Sequence, residues 1–244
     1  MIPAHNEAEN VGPLVREIVA ALGSGGAGAG AGAGRGYYEI VVVDDGSTDA
    51  TGGRLAELAR TTPCLRSVRH PASRGQSFAI ATGVKAARGA WIATLDVDGQ
   101  NDPADIPKLL ALRAGRGGGD GAPKAGPLLV AGYRKKRRDS WLKRVSSRVA
   151  NAVRGRLLGD RTPDTGCGLK VFEREAFLAL PHFDHMHRFL PALFLRAGGR
   201  VVSVEVGHRP RQRGASHYGM LDRLFVGLVD LFGVWWLIRR KERR

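Results

Sequence analysis

Ala90-Trp-Ile-Ala-Thr-Leu-Asp-Val-Asp-Gly-Gln-Asn-Asp-Pro103 is the stretch on which the reading of this chain turns. A short apolar run, Trp91–Leu95, ends in two aspartates, Asp96 and Asp98, at i and i+2. Residues so spaced in a strand share a face, so both carboxylates can meet at one point just past the strand end. Hard oxygen ligands converging there suit Mg²⁺ or Mn²⁺, whose remaining ligands are commonly substrate phosphates. Asp-x-Asp pairs also occur on ordinary surface loops, so the flanking sequence has to carry the argument.

Upstream, Tyr38–Val43 is another β-branched run, and it too ends in carboxylates, Asp44 and Asp45 of Asp-Asp-Gly-Ser-Thr-Asp49. Glu9–Leu22 has helical spacing, with Val11, Leu14, Val15, Ile18, Val19 and Leu22 on one face. Further helices are expected over Ala50–Arg60, Gly75–Ala87 (Phe78, Ile80, Ala81 and Val84 inward) and Ile106–Arg113. Strands are expected at Leu65–Val68 and Leu128–Gly132. Strands alternating with helices predict an α/β fold on a mostly parallel sheet, which binds ligands beyond the carboxyl ends of its strands. Two strand ends presenting acids to one edge say more than either alone.

The 244 residues suffice for one well-buried core. A formal charge of +15 implies an anionic partner: nucleic acid, phosphorylated small molecules or an anionic membrane face. Cys64 and Cys167 form neither a disulfide framework nor zinc spacing, which fits a reducing compartment, and the opening IPAHNEAEN carries no secretory signal pattern. Gly23–Gly36 and Gly115–Gly126 read as glycine-rich loops; the nominal G-x-G-x-x-G at Gly23, Gly25 and Gly28 follows a helix rather than a strand and fails as a dinucleotide fingerprint.

Tyr133–Arg138 is strongly basic and leads into an amphipathic helix, Asp139–Leu158, striped by Trp141, Val145, Val149, Val153 and Leu157. The run is either a solvated helix start or a wall for phosphates or headgroups. The last segment, Met220–Ile238, confines Asp222, Arg223, Gly227, Asp230 and Gly233 to one narrow sector and leaves a broad apolar face with Trp235 and Trp236. Its charges leave it short of the roughly 20 apolar residues a bilayer span needs. An interfacial helix fits, with tryptophans at headgroup depth and the basic Arg239–Arg244 on anionic lipid; a helix docked on the domain's own core or on a partner protein is the alternative.

Together these motifs resemble the family 2 glycosyltransferases, in particular the branch like dolichol-phosphate mannosyltransferase that glycosylates polyprenyl phosphates. The resemblance runs through Pro3-Ala-His-Asn-Glu7, Val41–Asp49, Arg74-Gly75, Asp96–Pro103, Gly132-Tyr-Arg134, Asp164-Thr-Gly-Cys-Gly168 and His208–Tyr218, nearly the whole chain. It implies a GT-A nucleotide-sugar domain over residues 1–219 and a membrane-associating tail over 220–244, on the cytoplasmic face of the plasma membrane. Pro3, His5, Glu7, Val43 and Asp45 would hold the nucleoside of the donor. Asp96, Asp98 and Gln100, with Val97 between them, would gather the cation (Mg²⁺ or Mn²⁺) and the diphosphate. Arg134, Arg211, Ser216 and His217 would meet donor or acceptor phosphates, and Asp164 would order the arginines on the acceptor side. The implied partners are a nucleotide-sugar, GDP- or UDP-linked, a polyprenyl phosphate and an anionic membrane surface, with no nucleic acid.

The chain has no Glu-Asp dipeptide of the kind that family members attacking with a sugar hydroxyl look to use as base. A phosphate acceptor is already anionic and needs none, so the absence favours polyprenyl phosphate over another lipid-linked or surface-glycan acceptor. Two departures stand out. His217 replaces the family's usual lysine in Gly-x-Ser-Lys-Tyr, and Met1-Ile2 is all that remains of the apolar strand before Pro3, which suggests a start assigned too late. Cys167 lacks an activating partner and reads as a small buried residue, and His182, His185 and His187 do not share a face as zinc ligands would. A basic nucleic-acid binder or an idle recruiting subunit fits less well, since the charge tracks phosphate motifs and the acids are intact.

Overall fold

The computed structural model describes residues 1–23, 37–113, 126–134, 154–210 and 220–240, the last from 226 onward in its side chains. Its elements are β1 (Ile2–Ala4), α1 (Val11–Leu22), β2 (Ile40–Asp44), α2 (Thr51–Thr61), β3 (Leu65–Arg69), α3 (Gln76–Ala86), β4 (Trp91–Thr94), α4 (Ile106–Ala111), β5 (Leu128–Arg134), α5 (154–158), β6 (Lys170–Glu173), α6 (Arg174–Leu178), α7 (Leu190–Arg196), β7 (Arg200–Val206) and α8 (Met220–Arg239). The expected helices and strands up to β5 are all present, shifted at their ends by one or two residues.

β1, β2 and β3 pair in parallel, with Ile2 opposite Val42 and Val43 opposite Val68. A second sheet runs β4-β6-β5-β7, in which β5 and β7 are parallel while β6 is antiparallel to both its neighbours. Met1 joins the two: its amine donates to the Ala93 carbonyl (2.8 Å) and its carbonyl accepts from the Leu95 N–H (3.2 Å). β1 therefore keeps a short form of the strand whose loss the sequence suggested, and it covers the β2 edge from Ile2 to Ala4.

Alternation along the strands builds a core on each face. Val41 and Val43 join Ala79, Ile80 and Val84 of α3, Phe172, Phe177 and Phe194 on one side. Ile40 and Val42 join Leu14, Val15 and Ile18 of α1, Leu55, Ile106 and Leu109 on the other. Strands covered by helices on both faces read as continuous apolar runs, which is why β2 is buried at every position. Phe78 departs from its expected inward position: it is half-buried, under the Arg74 guanidinium at 5.1 Å, while Ser77, Ala79 and Gly83 turn inward instead.

One face of α8 belongs to the first core through Leu231 and Val234, and Arg196 of α7 donates to the Leu237 carbonyl (3.1 Å). Its other face leaves Val226, Leu228, Val229, Phe232 and Trp236 exposed. Docking on the domain's own core is thus realised on one side of this helix, while the other side carries exposed apolar residues. Among the described residues, no helix is long and apolar enough to cross a membrane.

Candidate active site

The carboxyl ends of β1, β2 and β4 meet at one edge, and side-chain hydrogen bonds lace their loops together. Asn6, held at φ 56°, accepts from the Thr48 N–H (2.9 Å) and Asp49 N–H (3.3 Å), while its own N–H donates to Ser47 Oγ (2.9 Å). The Glu7 N–H donates to Thr51 Oγ1 (2.8 Å), and Glu7 accepts from Asn10 (2.6 Å). Gly46 is required: at φ 68° its Cβ would lie 2.4 Å from the backbone of Ala72 and Ser73. The polar string Asp44–Asp49 therefore serves first as the clasp between two strand ends.

Asp45 is the centre of that clasp. Its carboxylate faces His70 Nδ1 (2.6 Å) and accepts from Ser73 Oγ (2.9 Å) and from the N–H groups of Arg74 (2.9 Å) and Gly75 (2.8 Å). Burial alone would raise its pKa, but these bonds outweigh burial and hold it below the ordinary value. What Asp45 grips here is the loop leading into α3. His5 is exposed with Nδ1 2.8 Å from the Asp45 carbonyl, whereas the Val43 side chain is sealed in the core and does not reach the site. Pro3 lines the cleft described next.

That cleft, about 290 Å³, lies beyond β1 and β4 and is lined by Gln76, Asp96, Thr165, Lys170, His187 and Arg188, among others. β4 ends at Thr94, so Asp96 and Asp98 are brought together by the turn after the strand rather than by its pleat. Asp96 keeps one side open to the cleft yet sits deep among protein atoms, accepting from Gln76 Nε2 (2.9 Å). Burial, then the adjacent Asp98, pushes its carboxyl above the ordinary value; Lys170, Arg134 and Gln76 pull the other way. Asp98 is buried and accepts from the Gln100 N–H (3.1 Å); with Val97 it lines a smaller hollow beside Glu9 and Glu17. Two crowded carboxylates, one held unfavourably charged, are a donor set that a divalent cation fits, with Gln100 beside them.

Gly168 explains part of the Asp164–Gly168 motif. A Cβ there would lie 2.2 Å from Asp96 Oδ2, so the loop can close over Asp96 only because that position is bare. Arg134, at the end of β5, grips Asp164 with both arms of its guanidinium, Nε to Oδ2 (2.6 Å) and Nη2 to Oδ1 (3.0 Å). Burial would lower the Arg134 pKa, but the Asp164 pair raises it overall, so its charge is secure. Asp164 thus holds one arginine; Arg211, Ser216 and His217 lie outside the described residues, as do most of both glycine-rich loops and of the basic helix ahead of 154.

Sequence reasoning missed Lys170 and Gln76; His187 and Arg188 it met only as a His-Arg-Phe segment like one the resembled family has at its acceptor edge. Lys170 is buried and donates to the carbonyls of Thr165 (3.2 Å) and Cys167; burial lowers its pKa, against the pull of Cys167, Asp96 and Asp164. A lysine in an apolar strand, Leu169-Lys-Val-Phe172, is the one signal that could have found it. Cys167 is buried, its thiol pushed up by burial, as a packing residue should be. His187 bonds Ser77 of α3, while His185 instead faces Asp230 of α8 at 2.9 Å, so the histidines disperse. Among the described residues no group of three or more His, Cys, Asp or Glu could hold a metal.

Residues 1–180 match the model of the family described as Glycosyl transferase family 2. The chain is 34% identical over its whole length to the dodecaprenyl-phosphate galacturonate synthase of Rhizobium johnstonii, covering 68% of it. It is 33% identical over 95% of its length to the undecaprenyl-phosphate 4-deoxy-4-formamido-L-arabinose transferase of Edwardsiella ictaluri, covering 65% of that protein. It thus spans about two thirds of the length of both relatives. Among solved structures it resembles glucosyl-3-phosphoglycerate synthase from Mycobacterium tuberculosis in complex with Mn²⁺, UDP and glucosyl-3-phosphoglycerate (TM-score 0.66, 19% identity, 97% of this chain and 77% of that one). It also resembles a mannosyltransferase from Pyrobaculum calidifontis in complex with GDP-mannose and Mn²⁺ (TM-score 0.65, 20% identity, 99% and 64%). At those identities the likeness carries the fold alone, and the fold is GT-A.

Proposed function

The chain belongs to glycosyl transferase family 2, and from that premise we propose that it transfers a sugar from a nucleotide-sugar to a polyprenyl phosphate, with inversion, at a membrane surface. The observation that carries the choice of acceptor is the cleft itself: among the described residues lining it, Asp96 is the sole carboxylate, and its neighbours are Lys170, His187 and Arg188. A hydroxyl acceptor would need a base there, and Asp96 is committed to the donor side. A phosphate arrives already ionised and is drawn by Lys170 and Arg188. Both relatives named above are called polyprenyl-phosphate enzymes, which supports the same reading.

In this reading Pro3, His5 and Glu7 frame the nucleoside, while Asp45 acts on it through the His70–Gly75 loop. Asp96 and Asp98, with Gln100, hold Mg²⁺ or Mn²⁺; when bound, the cation neutralises charge on the departing nucleoside diphosphate. Arg134, fixed by Asp164, keeps a permanent positive charge at the same edge, and the roles proposed for Arg211, Ser216 and His217 are contacts to donor or acceptor phosphates. The exposed stripe of α8 and the basic residues after it rest on anionic lipid at the cytoplasmic face of the plasma membrane, with Arg239 and Arg240 stacked over Trp235 and Trp236 at 4.1 and 5.0 Å. UDP-sugars and GDP-sugars are both accommodated by this description, and the wild-type enzyme will choose between them.

The test is a panel of radiolabelled UDP- and GDP-sugars with undecaprenyl phosphate and either cation, counted in the organic phase. Transfer to lipid is expected with at least one donor. Transfer only to a soluble or glycan acceptor would overturn the reading.

A further inference from the structure

His187 has a place in the cleft that neither the motifs nor the comparisons assign. Its backbone N–H donates to Ser77 Oγ (3.3 Å), and its Nδ1 lies 2.8 Å from the same oxygen. The Ser77 hydroxyl has one proton, and among the described residues Nδ1 is its only acceptor. The hydroxyl therefore donates to Nδ1, and a neutral ring must carry its own proton on Nε2. Burial, with Lys170, Arg188 and His185 adding to it, pushes the His187 pKa down to about 3, so the ring is neutral at pH 7. With one ring edge turned to Ser77, the other faces the cleft that His187 lines, and Nε2 has no partner in the protein among the described residues.

We propose that His187 is a sugar-recognition residue, whose Nε2–H donates to a hydroxyl or ring oxygen of the sugar being transferred; this rests on the donor reading above. Three features select the sugar rather than a phosphate. A neutral single donor suits a neutral oxygen, whereas the phosphates have the cation site, Lys170 and the arginines. The cleft of about 290 Å³ holds roughly ten waters at ~30 Å³ each, the size class of one pyranose ring. It adjoins Asp96, so what fills it is the group one bond beyond the diphosphate. Ser77 is the matching positioning residue: it fixes which nitrogen bears the proton.

The experiment labels the full chain with ¹⁵N-histidine and works at pH 7 with Mn²⁺ present. Four donors are titrated against their free diphosphates: UDP-glucose, UDP-galacturonate, UDP-4-deoxy-4-formamido-L-arabinose and GDP-mannose, against UDP and GDP. The His187 ring is expected neutral with its proton on Nε2, and the Nε2 signal should move with at least one nucleotide-sugar and not with the matching diphosphate. His187→Phe, which fills the space without a donor, should weaken that nucleotide-sugar about tenfold and the diphosphate less than twofold. His187→Gln, which keeps a donor, should recover part of the loss, and Ser77→Ala should show a mixture of the two tautomers. A proton on Nδ1, an Nε2 signal indifferent to every donor, or a Phe variant that binds the donors as tightly as wild type overturns the proposal. Failure of the acceptor reading shows separately, as an absence of lipid product from a protein whose Nε2 still answers to a nucleotide-sugar.

Discussion

Replacing Gly168 by alanine isolates the Asp96 carboxylate from every other feature of the fold. The added methyl would stand 2.2 Å from Oδ2, 2.4 Å from Cγ and 2.8 Å from Oδ1, all inside the closest approach that real carbons make. Gly168 lies outside the left-handed region, so the backbone accepts alanine without strain. The atoms met are the end of a side chain that keeps an open side, and they can retreat by about 1 Å. Such a displacement of a group that positions the reacting atoms costs on the order of 100-fold in rate, about 2.7 kcal/mol. The fold loses little, because only one carboxylate and its bond from Gln76 have to move: Tm should fall by no more than about 3 °C, equivalent to ~1 kcal/mol in a chain of this size. The assay is the initial rate of sugar transfer over a Mn²⁺ titration, beside a thermal melt. The expected result is a kcat about 100-fold lower and a higher half-saturating Mn²⁺, with Tm nearly unchanged. A rate within threefold of wild type would refute the steric reasoning, and so would a loss of activity that merely follows a collapse of Tm.

Other perturbations follow from the same geometry. Because burial and Asp98 raise the Asp96 pKa, the folded state disfavours its charged form, so the metal-free protein should lose stability as pH rises past the ordinary carboxylate value of 3.8 and through the higher folded one. Asp96→Asn should accordingly raise the Tm of the metal-free protein at pH 7 and remove most of the further rise that Mn²⁺ gives the wild type. Asp164→Ala strands the buried Arg134 guanidinium and should cost about 3 kcal/mol in denaturant unfolding, since breaking one side of a buried pair is dearer than the pair is worth. Phe232→Ser with Trp236→Ser removes two half-exposed aromatics at about 1 kcal/mol each, and should weaken binding to anionic vesicles roughly thirtyfold in a sedimentation assay. His217→Lys should keep transfer activity and His217→Ala lower it, measured as organic-phase counts; an Ala variant equal to wild type would remove His217 from the site.

The elements up to β5 were legible because each carries its own periodicity: β-branched runs for β2 and β4, spaced apolar residues for α1 and α3. β6 and β7 were not read. Arg200–Val206 alternates with charge at Arg200 and Glu205, and Lys170 interrupts the apolar run of β6. A lysine can sit there only because the Thr165 and Cys167 carbonyls fold back on it, an arrangement that no local pattern announces. For the site, residue types told which groups gather but not how. Asp45 was expected to face the nucleoside and instead holds His70–Gly75, since the donors that claim it come from 25 to 30 residues downstream. Asp96 and Asp98 converge through the turn after β4, not through the pleat of the strand that the sequence suggested.

The helix α8 carries an implication for scale. Its inner face shares one packed core with Phe189, Leu190 and Met186, which flank the His187–Arg188 wall of the cleft, and His185 reaches across to Asp230. Under the lipid contact proposed above, α8 and the cleft wall share one core, so α8 would work as a depth gauge: once it rests in an interface, the height of the cleft above the acyl chains would be set. Such an enzyme would read the level of the acceptor's phosphate and be blind to the length of the tail beneath it. Prenyl phosphates of different chain length, presented in the same bilayer, should then be glycosylated at one common rate, while anything that lifts the phosphate away from the headgroup plane should be passed over.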